Sequence, residues 1–264
     1  MKKYLVIGNP ISHSLSPELH NHWIKQHGIN AFYEKKKLND NELEKLISDI
    51  KTGSINGVNV TVPFKNAIIP YLDELSNDAK NTQAVNTIYL KDKKVIGHNT
   101  DIDGFENAIK KINFDFKNKK IFILGAGGVV PSIIFALNKM NVSKIIISNR
   151  TKKKAEDLKS QFHNLEILDW GDINDFDVII NATSLGLNKE SINLDFSKVA
   201  NNKLFYDVIY NPEETNFLKE GKKLGNRTEN GKLMFVYQAF EAFKLWHGIE
   251  PQINSDTLEI LNND

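Results

Sequence analysis

A lysine follows two polar residues at the end of a short apolar stretch, in the run Asn59-Val-Thr61-Val-Pro-Phe-Lys65. Alternation of side chains along a strand puts Asn59 and Thr61 on the same face. Pro63 ends the strand, so that Lys65 lies at its carboxyl end. A single lysine is usually a solvated surface cation, but the amide and the hydroxyl that accompany this one favour a functional role for Lys65.

Asp101, in the run His98-Asn99-Thr100-Asp101, is the second residue that could move a proton. Either Asp101 or Asp103 could cap the helix predicted from Asp103 to Lys111, and the choice of Asp103 leaves Asp101 free. A lysine and an aspartate in a pocket lined by hydroxyls and amides, such as those of Asn86-Thr87, can transfer a proton to or from an alcohol.

Two serines, Ser14 and Ser16, follow the first apolar run of the chain. Their hydroxyls point the same way if this segment is extended. Ser16 also suits the N-cap of a helix that begins with Pro17. Both interpretations stay open, because a loop serine can cap a helix and still face a binding site.

A glycine loop between two predicted strands favours dinucleotide binding over a structural turn. Lys120–Leu124 and Lys144–Ser148 are short apolar runs of the buried-strand kind, and Gly125-Ala-Gly-Gly128 follows the first without a gap. Glycines let the backbone approach a pyrophosphate, and the N-terminus of the helix predicted at Val129–Met140 supplies free N–H groups and partial positive charge. Val130 stands where the third glycine of G-x-G-x-x-G would be.

The residues after the second of these strands favour NADP over NAD. Many NAD-binding proteins carry Asp or Glu there to hold the ribose 2′-hydroxyl, whereas this chain has Asn149-Arg150-Thr151. A cation suits a 2′-phosphate, although Arg150 taken alone could equally be a solvated surface residue. The lysines at 152–154 follow directly and could add to a phosphate site.

Length and composition exclude several classes of function. A chain of 264 residues can form one large or two modest domains. The net charge of +1 gives no reason to expect nucleic acid or membrane binding, and no apolar run approaches a membrane span. The absence of cysteine excludes disulfides and thiolate catalysis and fits a cytoplasmic protein. The histidines lack metal-ligand spacing, since His20 and His22 face different sides of a helix, and we expect no metal.

Strands and helices alternate along the chain, which favours an α/β fold with largely parallel sheets. Because a predicted helix connects the two halves, we expect two domains with a cleft between them, and ligands at the carboxyl ends of strands. The predicted strands are 4–7, 31–37, 57–62, a hairpin within 84–98, 120–124, 144–148, 166–168, 177–181 and 204–209, and the predicted helices are 17–27, 42–50, 103–111, 129–140, 213–223 and 233–246.

Short motifs in a specific order resemble the shikimate dehydrogenase family over nearly the whole chain. The resemblance implies an α/β substrate domain at 1–102, joined by C-terminal helices at 233–264, and a Rossmann-like NADP-binding domain at 103–232. It implies an NADP-dependent oxidoreductase that reversibly reduces 3-dehydroshikimate to shikimate in aromatic amino-acid (chorismate) biosynthesis. Besides the segments quoted above, the motifs are Ala84-Val-Asn86-Thr87, Asn181-Ala-Thr183-Ser184, Asp207-Val-Ile-Tyr210-Asn-Pro212 and Val236-Tyr-Gln238-Ala239.

The resemblance also implies roles for individual residues. Lys65 and Asp101 would be the catalytic pair, and Ser14 and Ser16 would bind the shikimate carboxylate. Ring hydroxyls would be held by Asn59, Thr61, Asn86 and Gln238, and by Tyr210. The cofactor would lie at Gly125, Ala126, Gly127, Gly128 and Val129 (the glycines at its pyrophosphate), at Asn149, Arg150, Thr151 and Lys154 for the 2′-phosphate, and at Thr183, Val208 and Gly231 near the nicotinamide.

Three positions depart from the family pattern. Gln83 stands where many relatives have glycine, and Val129-Val-Pro131 replaces small residues, but neither change removes a chemical group. Asn77 stands where an acidic residue is common. The residues also leave open which member of the catalytic pair accepts the proton; Lys65 is the first choice as base, with Asp101 as the alternative.

Several other functions compete with this interpretation. The nearest is a paralogue with broader use of substrate or cofactor, acting on quinate or an amino-shikimate. A non-catalytic NADP-binding regulator is less favoured because both Lys65 and Asp101 are present. A methylene-tetrahydrofolate dehydrogenase is less favoured because Ser14 and Ser16 suit a small carboxylate better than a pterin. The expected partner is the small-molecule substrate, and we expect a monomer or homodimer.

Overall fold

Two six-stranded sheets form the framework of the part of the chain that the structure, a computed structural model, describes: residues 1–188 and 190–262. One compact unit comprises Met1–Gly104 and the chain from Val236 onward, and the other comprises Phe105–Phe235. None of the helices in the described ranges is long and apolar enough to cross a membrane. The predicted α/β fold class is confirmed.

The sheet of the first unit is mixed. Its first strand lies parallel to the second and third, whereas the fifth strand is antiparallel to the third and the sixth. The predicted hairpin is therefore confirmed, and the spatial order of the strands is β2-β1-β3-β5-β6-β4. These strands are β1 (Lys2–Gly8), β2 (Ala31–Lys37), β3 (Gly57–Val60), β4 (Glu74–Leu75), β5 (Thr87–Lys91) and β6 (Lys94–His98).

Amphipathic helices cover the first sheet. In the second helix the buried residues Leu43, Leu46, Ile47 and Ile50 recur at helical spacing, so that one face is apolar. That face belongs to the same apolar core as Leu5 and Val58 of the sheet. The helices in this part of the chain are α1 (Ser16–Gln26), α2 (Leu43–Lys51), α3 (Phe64–Ala67), α4 (Asn77–Thr82) and α5 (Asp101–Ile112), of which the last leads into the second unit.

The sheet of the second unit is parallel throughout and doubly wound. Its strands are β7 (Lys120–Leu124), β8 (Lys144–Ser148), β9 (Leu165–Leu168), β10 (Val178–Asn181), β11 (Leu204–Asp207) and β12 (Arg227–Glu229). They lie in the order β12-β11-β10-β7-β8-β9, so the chain changes direction across the sheet between β7 and β10. Ligands of such sheets bind at this switch point, beyond the carboxyl ends of the strands. The remaining helices are α6 (Val130–Lys139), α7 (Lys152–Gln161), α8 (Asn216–Lys223), α9 (Lys232–His247) and α10 (Ser255–Glu259).

A neutral histidine lies in the aromatic core of the first unit. His20 on α1 is 1% exposed, and its ring stacks on Tyr33 with centroids 4.3 Å apart and an interplanar angle of 1°. Trp23 packs edge-on against the same imidazole. Within the described ranges of the chain, neither ring nitrogen of His20 has a hydrogen-bond partner. Burial is the larger cause and the charge of His247 the smaller cause that together lower the pKa of His20 to about 3.

We expect the free energy of unfolding of His20→Phe to fall less steeply than that of the wild type as the pH is lowered. The folded pKa lies below that of an unfolded histidine, near 6.5, so the unfolded chain takes up the extra proton as pH falls between these values. The His20 contribution is therefore complete above about pH 6.5 and is lost toward pH 3, by about 1.4 kcal/mol per pH unit at most. Urea unfolding of both proteins between pH 7 and 4 measures this difference. Trp23→Phe is the packing control, because it alters the same cluster without removing a titrating group; an equal pH slope for wild type and His20→Phe would contradict the assignment.

Candidate active site

Lys65 and Asp101 form an ion pair that is almost completely buried. Lys65 lies in the short helix α3 that follows β3, and Asp101 is the first residue of α5. Lys65 Nζ donates a hydrogen bond to Asp101 Oδ2, and the two residues are 8% and 5% exposed. Removal of two charges from water is costly unless further hydrogen bonds satisfy them. The surroundings of Asp101 supply those bonds.

Two asparagines hold Asp101. Asn86 Nδ2 donates to Asp101 Oδ1 at 2.9 Å, and the Asp101 backbone N–H donates to Asn99 Oδ1 at 3.0 Å. The prediction that the helix begins near Asp103 is wrong, because α5 begins at Asp101. The carboxylate thus stands in the first turn, where the free N–H groups of a helix stabilise an anion.

Asn59 and Asn86 have little hydrogen-bonding capacity left. Asn59 Nδ2 donates to the Asn86 carbonyl oxygen at 3.1 Å and to Thr87 Oγ1 at 3.0 Å, and Asn59 Oδ1 accepts from Tyr33 Oη at 2.7 Å. Asn86 Nδ2 likewise uses both hydrogens, one toward Asp101 and one toward Thr100 Oγ1 at 2.9 Å. An amide oxygen has two lone pairs, so Asn59 can accept one more hydrogen bond but cannot donate one.

Thr61 differs from the strand residue that the alternation predicts. β3 ends at Val60, and Thr61 begins the turn that leads into α3, so the predicted strand end at Val62 is wrong. The cause is the turn that closes where the Phe64 N–H donates to the Thr61 carbonyl oxygen at 2.9 Å. Thr61 is half-buried, and its hydroxyl makes no hydrogen bond within the described ranges of the chain. That hydroxyl is therefore able to bind a ligand.

Ser14 and Ser16 lie together but not as predicted from an extended segment. The cap residue of α1 is Leu15, with ψ of 9°, and its own side chain makes no cap hydrogen bond. Ser16 is inside the helix, so its interpretation as the N-cap is wrong. Ser14 Oγ donates to Ser16 Oγ at 3.2 Å, and Lys35 Nζ donates to the Ser14 carbonyl oxygen at 3.4 Å. Two adjacent hydroxyls and a nearby ammonium group suit a carboxylate.

One cluster of the metal-ligating type has no signature in the sequence. Asp78, His98 and Asp103 are half-buried, and each offers a ligand atom within 4.8 Å of the others. Burial lowers the pKa of His98, while the two carboxylates act in the opposite direction. The three residues come from α4, β6 and α5. No spacing in the sequence could have joined them, because only the fold brings these elements together.

The glycine loop of the second unit is shaped for a close approach. Gly125 follows β7 with φ of +107°, and a Cβ there would lie 2.7 Å from the Ala182 carbonyl oxygen. Gly127 is exposed, and a Cβ there would have only that same oxygen near it, at 3.8 Å. The first glycine is thus required by the fold, whereas the second leaves open space beside the loop.

This loop fits the pyrophosphate of a dinucleotide. The four successive backbone N–H groups of residues 126–129 have no acceptor within the described residues, and α6 begins directly after them. Free N–H groups at a helix N-terminus form an anion site. Pro131 in the first turn of α6 removes no hydrogen bond that the helix needs. The residues present therefore fit a bound NADP phosphate.

Two of the cations near the end of β8 lack a carboxylate partner. Lys152 pairs with Asp169 and Lys153 with Asp157, whereas Arg150 and Lys154 are exposed and form no ion pair within the described ranges. Thr151 is the cap residue of α7 and its side chain makes no cap hydrogen bond. Asn149 Nδ2 donates to the Thr151 carbonyl oxygen at 2.8 Å and so shapes this turn. Arg150, Lys154 and the N-terminus of α7 together suit a phosphate.

Three other candidates follow strands at the carboxyl edge of the second sheet, and one of them, Thr183, lies close to the glycine loop. A Cβ on Gly125 would lie 3.1 Å from Thr183 Cγ2, and a Cβ on Gly231 would lie 2.1 Å from the Val208 carbonyl oxygen. Gly231 thus permits a backbone contact that no other residue allows. Thr183 Oγ1 donates to Asn181 Oδ1 at 2.7 Å at the end of β10. These contacts place Thr183, Val208 and Gly231 along one edge.

Tyr210 and Gln238 belong to different units. Tyr210 stacks on Phe235 in the second unit, with centroids 4.2 Å apart. Gln238 lies on the part of α9 that belongs to the first unit, and it is half-buried. The described contacts of the first unit therefore unite Asn59, Lys65, Asn86 and Asp101, and leave Ser14 with Ser16 as a separate pair.

Asp207 is a buried carboxylate that the sequence analysis quoted only within a motif. It ends β11 and accepts hydrogen bonds from Thr215 Oγ1 at 2.6 Å and from the Ile209 N–H at 3.0 Å. Burial raises the pKa of Asp207 to about 6, although these bonds lower it. Asp207 thus organises the loop that carries Val208 and Tyr210.

One unit of the chain has a doubly wound parallel sheet with a glycine loop, and the other is an α/β unit with a buried lysine–aspartate pair. These features define a dehydrogenase of the dinucleotide-binding class. The chain belongs to the shikimate dehydrogenase family. Its residues 6–88 match the shikimate dehydrogenase substrate binding domain, residues 106–208 match shikimate / quinate 5-dehydrogenase, and residues 233–254 match the shikimate 5′-dehydrogenase C-terminal domain.

Individual relatives agree with these family matches. The chain is 57% identical to the shikimate dehydrogenase (NADP(+)) of Pelagibacter ubique over 262 residues, which cover 99% of both chains. The shikimate dehydrogenase structure from Aquifex aeolicus is 37% identical, with a TM-score of 0.91 over 100% of this chain and 98% of that one. The Thermus thermophilus enzyme, solved in complex with NADP(H) and shikimate, is 30% identical, with a TM-score of 0.90 over 99% of both chains.

We expect Gly127→Ala to separate cofactor binding from folding. The new methyl group meets only ordinary van der Waals contact in the fold, at 3.8 Å, so the free energy of unfolding should change by no more than about 0.5 kcal/mol. The same methyl group intrudes beside the free N–H groups, and NADP affinity measured by calorimetry should fall about tenfold or more.

Gly125→Ala is the matched comparison for that variant. A Cβ at Gly125 would lie 2.7 Å from a carbonyl oxygen on a backbone with φ of +107°, so this variant should lose stability. Normal NADP affinity of Gly127→Ala would contradict the assignment of the loop to the pyrophosphate.

Proposed function

We propose that this chain catalyses the reversible, NADP-dependent reduction of 3-dehydroshikimate to shikimate. The observation that carries the proposal is the buried Lys65–Asp101 pair, since a lysine and a carboxylate held together in a hydroxyl- and amide-rich site are equipped to move the proton of an alcohol. NADP, when bound, supplies the acceptor for the hydride that leaves C3 of shikimate in the oxidative direction. The chain's own residues bind the substrate and accept the hydroxyl proton.

Lys65 and Asp101 act together in the transfer of the hydroxyl proton. Asp101 Oδ1 is occupied by Asn86 Nδ2, so the proton moves at the contact between Lys65 Nζ and Asp101 Oδ2. Either member of the pair can be the final acceptor of the proton. In the reductive direction the same contact returns a proton to the oxygen at C3.

The substrate can bind to the polar groups that still have an unused hydrogen-bond donor or acceptor. Thr61 offers an unused hydroxyl, and Asn59 offers one lone pair, so a ring hydroxyl can donate to Asn59 and accept from Thr61. Asn86 has to give up one of its present bonds to bind a ring hydroxyl. In the proposal the Ser14 and Ser16 hydroxyls bind the carboxylate, and Gln238 and Tyr210 hold ring hydroxyls.

The cofactor residues are proposed on the same basis. The backbone of Gly125, Ala126, Gly127, Gly128 and Val129 binds the pyrophosphate, and Asn149, Arg150, Thr151 and Lys154 bind the 2′-phosphate. Thr183, Val208 and Gly231 lie toward the nicotinamide. The first unit is thus the substrate domain and the second the NADP domain.

A quinate/shikimate paralogue is the second candidate. The family description that matches residues 106–208 names both acids. Thr61 and Gln238, as the family resemblance implies, favour shikimate. A cytoplasmic location and a monomeric or homodimeric state complete the proposal, and the absence of cysteine favours the former.

An absorbance assay for NADPH formation, with shikimate or quinate and with NADP or NAD, tests the proposed function directly. The expected result is turnover that is fastest with shikimate and NADP. Comparable rates on quinate would support the broader paralogue, and no turnover with any pair would overturn the proposed reaction.

In that assay we expect Lys65→Met to lower kcat by about 10² to 10⁴, with a much smaller change in KM for shikimate, because a group that moves a proton acts mainly in the transition state. Lys94→Met is a matched control, since Lys94 is also paired with a carboxylate in this unit but lies exposed on β6. A near-normal kcat for Lys65→Met would exclude Lys65 from proton transfer.

We expect Arg150→Gln to raise KM for NADP by about 10- to 100-fold and to change KM for NAD little, because a guanidinium binds a phosphate through charge-assisted hydrogen bonds. Lys154→Gln should have a smaller effect of the same sign. Lys153→Gln is the matched control, as the neighbouring lysine is already paired with Asp157. Equal losses for the two cofactors would contradict the assignment of Arg150 to the 2′-phosphate.

A further inference from the structure

A chain of buried hydrogen bonds runs from Tyr33 to the catalytic pair. Tyr33 Oη donates to Asn59 Oδ1 at 2.7 Å, and Asn59 Nδ2 donates to Thr87 Oγ1 at 3.0 Å. Thr87 Oγ1 donates to Asn86 Oδ1 at 3.1 Å, and Asn86 Nδ2 donates to Asp101 Oδ1 at 2.9 Å. Every donor in these four bonds lies on the Tyr33 side, and every acceptor lies on the Asp101 side.

Two backbone groups fix the direction of the chain, because each can play only one role. The Asn86 carbonyl oxygen can only accept, so the group of Asn59 that faces it at 3.1 Å is Nδ2. The Thr100 N–H can only donate, so the group of Asn86 that it meets at 2.7 Å is Oδ1. With both amides oriented, Asn59 Oδ1 needs a donor, and the Tyr33 hydroxyl supplies it.

Tyr33 is itself held from two sides. The side chain of Asn21 clamps its backbone, with Nδ2 donating to the Tyr33 carbonyl oxygen at 2.7 Å and Oδ1 accepting from the Tyr33 N–H at 2.9 Å. The imidazole of His20 stacks on its ring. Tyr33 is 3% exposed, although the four strand residues that follow it are exposed. Several contacts of the fold therefore fix the position of the Tyr33 hydroxyl.

We propose that Tyr33 is a positioning residue for the reaction, acting on Asp101 through Asn59, Thr87 and Asn86. Aligned hydrogen bonds polarise one another in a low-dielectric interior, and a chain whose last donor meets a carboxylate stabilises that anion and fixes its orientation. Asp101 Oδ2 is thereby kept directed at Lys65 Nζ. This inference rests on the proposed function of the Lys65–Asp101 pair, and Tyr33 need not touch the substrate.

A double-mutant cycle tests the chain. Tyr33→Phe removes the first donor and Thr87→Val removes a middle link, and the two residues are joined through Asn59 in this chain. We expect kcat with shikimate and NADP to fall about fivefold for Tyr33→Phe and about tenfold for Thr87→Val, with KM changed less than kcat. The double variant should lose about tenfold, not the roughly fiftyfold that independent effects predict.

Two controls distinguish positioning from general loss of structure. Tyr4 is the register partner of Tyr33 on β1 and is equally buried, so Tyr4→Phe removes a neighbouring phenol outside the chain. Tyr4→Phe should leave kcat within about twofold of wild type, and its effect should multiply with that of Thr87→Val. Thr87→Ser keeps the hydroxyl and should restore most of the loss.

The outcomes separate this inference from the proposed function. Independent effects of Tyr33→Phe and Thr87→Val on kcat, or a Tyr33→Phe enzyme that equals Tyr4→Phe, would overturn the positioning role. If the wild-type chain does not oxidise shikimate, the proposed function fails instead. The same cycle is then measured by urea unfolding, where coupling between the Tyr33 and Thr87 substitutions supports the hydrogen-bond chain and additivity overturns it.

Discussion

The buried contact between Lys65 and Asp101 sets the requirements that the rest of the first unit meets. A carboxylate that is 5% exposed needs polar groups around it, because its attraction to one ammonium group does not by itself offset the loss of water. The fold supplies Asn86 from the segment before β5, the N-terminus of α5, and Asn99, which accepts a hydrogen bond from the Asp101 backbone N–H. Asn99 and the helix N-terminus adjoin Asp101 in sequence, whereas Asn86 and Lys65 lie 15 and 36 residues away from it. The mixed sheet is what brings them together, since the antiparallel β5–β6 hairpin carries Asn86 and Asn99 to the same end.

The fold could be predicted from the sequence wherever apolar residues recur with a clear period. In the second sheet β7 and β8 are continuous apolar runs, and in the first unit α2 buries residues at helical spacing. Elements without that signal were not predicted. In α7 only Ala155 and Leu158 are buried among ten residues, and β12 is a three-residue edge strand without a buried residue. Their positions depend on packing against neighbours that lie far away in the sequence, which no local pattern records.

The sequence allowed the residues of the candidate site to be predicted, but not the local structure in which each of them lies. Asn59, Asn86, Lys65 and Asp101 do lie in contact as one cluster. The local structures assigned to three polar residues were wrong: Thr61 lies beyond its strand, Ser16 lies inside a helix, and Asp101 begins one. Each error arose at an element end, where a turn or cap competes with the periodic pattern. Tyr33 could not be found at all, because its relation to Asp101 exists only through three intervening side chains.

The charged groups of the two candidate sites differ in their exposure to water, and therefore in how they can be paired. In the first unit the charges are buried, so each needs a fixed partner and the site can be formed only from many directed hydrogen bonds. In the second unit the cations are exposed, where water and salt weaken any pairing. Selection of a phosphate there depends on which cations are left unpaired. Asp169 and Asp157 engage Lys152 and Lys153, and thereby leave Arg150 and Lys154 as the positive groups beside the N-terminus of α7. Under the proposed 2′-phosphate assignment, the carboxylates near β8 contribute to cofactor choice without touching the cofactor, because they determine which cations the phosphate can bind.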